Sequence, residues 1–129
     1  MNVKDLSVTL HTKQIKECKE FYAEVLGART TFDSGWYVVV TFINNMSVAF
    51  MEPEDPTSST AIGNVTLNIL VEDIEAEYLK LKDQVNIICD LANQPWGDRS
   101  FQILDPIGNT VYIYMPAAVS DEYKDAVKE

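Results

Sequence analysis

Histidine is almost missing from this chain: of 129 residues one is histidine, His11, and two are cysteine, Cys18 and Cys89. A cluster of imidazoles for a metal therefore has no material. The two thiols, one in a helical stretch and one in an apolar strand, make no disulfide framework and read as reduced. Basic residues are also few, ten Lys and Arg against twenty Asp and Glu, for a net charge of −10. That balance excludes nucleic acid, because neutralising phosphates takes clustered cations and these ten are scattered. No apolar run approaches the ~20 residues that span a bilayer, and MNVKDLSV has no charged-then-apolar leader. The expectation is a cytoplasmic protein with neither a nucleic-acid nor a membrane partner. Acidity of this kind aids solubility, and it also speeds the encounter with cationic ligands.

What the chain does have is a likeness to itself. WYVVVTFINNMSVAFMEP (36–53) lies over RSFQILDPIGNTVYIYMP (99–116) at a constant offset of 63, so Val48 meets Val111, Phe50 meets Ile113 and Pro53 meets Pro116. Upstream the offset is 59, with VTLHTKQI (8–15) over LNILVEDI (67–74). A drift of this size is what a loop insertion leaves. One supersecondary unit used twice predicts a single domain, 1–129, with a first βαβββ unit at 3–53 and a second at 64–116. Between them EPEDPTSSTAIG is rich in Pro, Ser, Thr and Asp, and 54–63 reads as a linker. The tail 117–129 reads as a short helix with Ser120 as N-cap.

Within the first unit, residues 3–11 alternate as a strand, and IKECKEFYAEVLG follows as a helix stopped by Gly27. Strands at 29–33, 35–43 and 46–52 come next, Asn44-Asn45 supplying a turn able to hold positive φ. The second unit predicts strand 64–71, helix 73–83 and strands 86–90, 98–104 and 109–115, with Gly108 as the turn's positive-φ residue. Alternation splits each sheet. Val8, Leu10, Val48, Phe50, Leu67, Ile69, Val111 and Ile113 form an apolar face for helices. Ser7, Thr9, His11, Ala49, Met51, Thr66, Asn68, Tyr112 and Tyr114 line the other.

FYAEVLG (21–27), VEDIEAEYLKLK (71–82) and above all QPWGDRSFQILDPIGNTVYIY (94–114) resemble the vicinal oxygen chelate superfamily, which holds glyoxalases, bleomycin-resistance proteins and extradiol dioxygenases. The resemblance implies an α+β fold in which two βαβββ repeats form a curved mixed-sheet cup. It also implies a homodimer, and in the family's enzymes a divalent metal held by four side chains from the first and last strands of both units. Those positions fall here on Ser7, Ala49, Thr66 and Tyr112. None suits the task, since alanine cannot coordinate and un-ionised hydroxyls bind weakly. A register shifted by two gives His11, Met51, Asn68 and Tyr114, which is no better.

The expectation is accordingly a metal-independent protein of bleomycin-resistance type, with no cofactor and no catalytic residue, that sequesters a bulky aromatic or cationic small molecule in a dimer groove. Candidate ligand-binding residues are Ser7, Thr9, His11, Trp36, Met51, Thr66, Asn68, Trp96, Arg99, Tyr112 and Tyr114. The phenols and indoles supply stacking, the hydroxyls and amide hydrogen bonds, and Arg99 an anchor for an anionic group. Arg99 has the competing role of a salt bridge to Asp98, Asp105 or another acid, and His11 of a polar lining residue rather than a general base. Two other readings stand beside this one: a metal-dependent enzyme of glyoxalase or dioxygenase type, and a relic of the fold with a structural or interaction role.

Overall fold

The computed structural model describes residues 1–55 and 65–128. Its elements are β1 (Val8–His11), α1 (Ile15–Glu24), β2 (Arg29–Asp33), β3 (Tyr37–Thr41), β4 (Ser47–Met51), β5 (Thr66–Leu70), α2 (Ile74–Leu81), β6 (Ile87–Gln94), β7 (Asp98–Leu104), β8 (Thr110–Pro116) and the 3-10 helix η1 (Asp121–Ala126). This is α+β with βαβββ used twice, and the two offsets hold: β4 maps onto β8, β3 onto β7, and α1 onto α2. The two turns also correspond, with Asn45 at φ 62° and Gly108 at φ 82°. Of the linker 54–63, the part from 56 onward lies outside the described residues.

The first unit gathers β1 to β4 and α1, together with the turn Asp105–Gly108. Its sheet runs β1-β4-β3-β2, with β1 parallel to β4 and the other pairs antiparallel. Leu10, Val38, Val40 and Phe50 share one face, and α1 lays Ile15, Cys18 and Tyr22 onto it, all of them buried. The Tyr22 and Phe50 rings stand 5.0 Å apart. The Tyr22 hydroxyl donates to Asp105 Oδ2 at 2.9 Å, which ties the buried turn to the helix.

The second unit holds β5 to β8, α2 and η1. Its sheet runs β5-β8-β7-β6, with β5 parallel to β8. Phe101, Ile103, Val111 and Ile113 are buried on one face beneath Ile74 and Leu81 of α2. Tyr78 meets Phe101 edge-on at 5.3 Å. The tail returns over the β6–β7 turn: Ser120 N–H donates to the Pro95 carbonyl at 2.8 Å. A Cβ on Gly97, whose φ is 116°, would lie 2.7 Å from Val119 Cγ2, so the close approach needs glycine there.

Four expectations are corrected. β1 begins at Val8, not at residue 3, because its partner β4 offers only Val48–Met51 as pairing positions. Val8, at the start of this edge strand, is exposed rather than part of the core. β6 extends to Gln94 instead of ending at 90, pairing with the long β7 through Ala92, Asn93 and Gln94. A register irregularity between Cys89 and Ala92 hides that extension from alternation. Ser120 precedes η1 but makes no side-chain cap. Its backbone carbonyl takes the Tyr123 N–H at 3.0 Å instead.

Candidate functional site

In each unit the sheet face away from the helix is where side chains remain available. On the first, Thr9 pairs with Ala49, His11 with Met51, Tyr37 with Met51 and Val39 with Ala49, so alternation aligns them on one side. Phe32 joins through its pairing with Val39, beyond a bulge in β2. A cavity of about 480 Å³ opens there, lined by Phe32, Ser34, Trp36, Tyr37, Val39 and Met51. Its aromatic wall is continuous: Phe32 lies 5.9 Å from Tyr37, and Trp36 lies 6.1 Å from Tyr37.

The turn that presents Trp36 is fixed by short local bonds. Gly35, at φ 92°, donates its N–H to Asp33 Oδ1 at 2.9 Å, and Tyr37 N–H donates to Ser34 Oγ at 3.2 Å. Asp33 also accepts from Lys19 Nζ at 3.0 Å, and that bond holds its carboxyl below the ordinary carboxylate range. Trp36 is thus anchored through its neighbours while the residue itself is 57% exposed. A large aromatic ring left partly in solvent on a held turn suits stacking against a ligand.

On the second unit the open face carries Asn68, Ser100, Gln102, Tyr112 and Tyr114 by strand pairing. Here the side chains form a polar constellation. The Tyr112 hydroxyl donates to Asp98, 2.8 Å from Oδ2 and 3.0 Å from Oδ1. Ser100 Oγ donates to the Tyr112 oxygen at 3.0 Å. Trp96 Nε1 donates to Asp98 Oδ2 at 2.9 Å and stands 3.1 Å from the Tyr112 oxygen. Burial first of all, together with the bond to Asp98 and its charge, pushes the Tyr112 phenol above its ordinary value. The Trp96 ring meets Tyr123 of the returning tail edge-on at 6.2 Å, and the Tyr112 and Tyr114 rings lie 6.0 Å apart.

The sequence-derived candidates are distributed unevenly over these two faces. Trp36 and Met51 line the cavity, and Trp96 and Tyr112 belong to the constellation. Thr9 and His11 lie on the first unit's open face, Thr66, Asn68 and Tyr114 on the second's. Ser7 precedes β1 and belongs to no strand. Arg99 goes elsewhere. Its strand position is opposite in facing to Asp98, and on the α2 side its Nε donates to Glu75 Oε1 at 2.6 Å and its Nη1 to Asn93 Oδ1 at 3.0 Å. Phe32, Tyr37, Val39, Asp98 and Ser100 were not among the candidates. Alternation was the available signal for two of them, since 98 and 100 must share the side that excludes Arg99.

The donor set does not fit a divalent ion. Ser7 lies outside the sheet, Ala49 has no donor, and the Tyr112 oxygen is engaged by Asp98, Ser100 and Trp96. Among the described residues no group of three or more His, Cys, Asp or Glu converges where an ion could be held. Among them, too, no helix is long and apolar enough to cross a membrane.

Comparison with known proteins gives a consistent picture. A family model described as glyoxalase-like domain matches residues 6–116. No curated protein matches the chain in sequence. Among solved structures, TnmS3, an antibiotic-binding protein from Streptomyces sp. CB03234, is 22% identical with a TM-score of 0.75, covering 91% of this chain and 99% of its own. A virulence protein from Salmonella typhimurium is 20% identical, with a TM-score of 0.74 and coverage of 91% and 100%. A lactoylglutathione lyase from Agrobacterium tumefaciens is 16% identical, with a TM-score of 0.71 and coverage of 88% and 95%.

Proposed function

The chain belongs to the glyoxalase-like domain family, and from that premise we propose that it is a metal-independent binding protein of the bleomycin-resistance type, which sequesters a bulky aromatic or cationic small molecule. The observation that carries this reading is the aromatic cavity on the first unit's open face, with Trp36 and Tyr37 presented by a rigid turn. A preformed aromatic wall binds planar ligands at low entropic cost, because the rings are ordered before the ligand arrives. The net charge of −10 favours cations and steers them inward. That TnmS3 is an antibiotic-binding protein on the same fold is compatible with it. In this reading the protein works as a homodimer, with Ser7, Thr9 and His11 supplying polar contacts in the first unit and Thr66, Asn68 and Tyr114 in the second.

The test is a thermal-shift panel of glycopeptide antibiotics and planar aromatic metabolites on the purified chain, run with and without divalent ions. A ligand present at 100 times its Kd adds about 2.7 kcal/mol of stability, which is easily read as a rise in melting temperature. A rise that is indifferent to added metal is expected. Silence across the panel, or turnover that appears only with a stoichiometric divalent ion, overturns the proposal.

A further inference from the structure

We propose that Asp98, framed by the Trp96 indole and the Tyr112 phenol, anchors a positively charged group of the ligand, so that the molecule bound is an aromatic organic cation bearing an ammonium or guanidinium. This rests on the reading of the chain as a small-molecule-binding protein, stands on the second unit's open face alone, and adds the charge of the ligand and the side chain that meets it.

Asp98 is only 9% exposed. Its two donors are both neutral, the Trp96 N–H and the Tyr112 O–H. A carboxylate has about four acceptor sites, so about two remain for a partner. Among the described residues no Lys, Arg or His forms an ion pair with it. Arg99, adjacent in sequence, is committed to Glu75 on the other side of the sheet. The chain therefore holds a largely buried carboxylate with dipoles and no counter-charge, an arrangement that carries a desolvation cost.

Clamping Trp96 and Tyr112 in place does not require that cost. A neutral amide oxygen would accept the same two bonds with a smaller desolvation penalty. A full charge has a use where an opposite charge arrives, and the surroundings suit one. The Tyr112 phenol has one proton, and the Ser100 hydroxyl donates to its oxygen, which leaves that proton for Asp98. The Trp96 indole, in a residue 48% exposed, and the Tyr112 ring both stand next to the carboxylate they bond, a setting that favours a cation over a neutral group. Tyr123 supports the indole and keeps it in place.

Calorimetric titration with two probes of one shape, naphthylmethylamine and naphthylmethanol, tests the assignment. Wild-type protein is expected to bind the amine about tenfold more tightly than the alcohol, the range of a hydrogen-bonded charge pair. Asp98→Asn should bind the alcohol as before and lose the preference. Glu20→Gln, which removes an exposed charge of α1 in the first unit, should keep it. Equal binding of both probes, a preference that survives in Asp98→Asn, or equal loss in both variants overturns the assignment while the wider binding reading stands. Binding of neither probe overturns it too, and the thermal-shift panel then decides the wider reading. Should Asp98→Asn not fold, wild-type protein at about 1 M salt gives the answer, because screening over ~3 Å removes the general field but not a partly buried contact. A several-fold preference persists there if Asp98 is the anchor; its disappearance overturns the assignment.

Discussion

At the scale of single residues, the buried groups of α1 make stability sensitive to alkali. Cys18 is completely buried, and burial chiefly, with the charges of Asp105 and Glu17, pushes its thiol up to about 12 from an ordinary value of 9.0. Tyr22 is raised as well, by burial first and then by the charge of Asp105 and the bond to it. Both are acids whose folded-state values exceed the unfolded ones. Below the unfolded thiol value both states keep the proton, and the contribution is intact. As pH rises past about 9 the unfolded chain loses protons that the folded chain retains, so stability must fall. The slope approaches 1.4 kcal/mol per pH unit for each such group. Urea denaturation of wild type between about pH 8 and 10.5 should show this decline, and Cys18→Ala should show a shallower one from a lower starting point. Stability independent of pH across that window would contradict it. None of this was legible beforehand. The sequence placed Cys18 and Tyr22 on one helix, but their partner Asp105 lies 83 residues from Tyr22, and alternation carries no information at that separation.

At the scale of elements, the two helices occupy matching positions yet begin differently. Asp73 caps α2, its Oδ1 accepting the Ala76 N–H at 3.1 Å. Gln14 stands at the corresponding place before α1 and makes no side-chain cap. Repetition has therefore preserved the helix without preserving its start signal, and packing of Ile15, Cys18 and Tyr22 stabilises α1 in its place. Asp73→Ala should cost about 1 kcal/mol in chemical denaturation, whereas Gln14→Ala should change little. Equal losses would mean that the cap is not what distinguishes them. The same contrast explains how far the sequence could be read. Periods of 2 and 3.6 located nearly every strand and helix to within a few residues, because half-buried elements impose those periods. They failed where pairing is irregular, in the extension of β6; β2 falls on 29–33 as expected, but no facing was assigned to β2 or β3, and Phe32, Tyr37 and Val39 of the cavity wall were missed for that reason. Ser120 failed for another reason: its carbonyl took the bond that its hydroxyl was expected to accept.

At the scale of the whole molecule, the family's chemistry and this chain's side chains part company. The resemblance implies that metal enzymes of this fold hold their ion with four side chains, and here the corresponding positions bring a methyl group, hydroxyls and a phenol already bonded to Asp98. A single histidine in 129 residues leaves no second imidazole to compensate for a changed register. Hydroxyl oxygens hold a hydrated divalent ion weakly, because they are neutral and do not offset the loss of its water shell. If the protein has given up the ion, its removal must leave everything else in place. Dialysis against a strong chelator should therefore shift neither the melting temperature nor the affinity for an aromatic probe. Elemental analysis of the untreated protein should find far less than one zinc, nickel, manganese or iron per chain. A melting temperature that falls on chelation and returns with one particular ion would show a donor set that these residues do not reveal. It would also undo the metal-independent reading at its root, since binding that stabilises only the folded state leaves that linked signature.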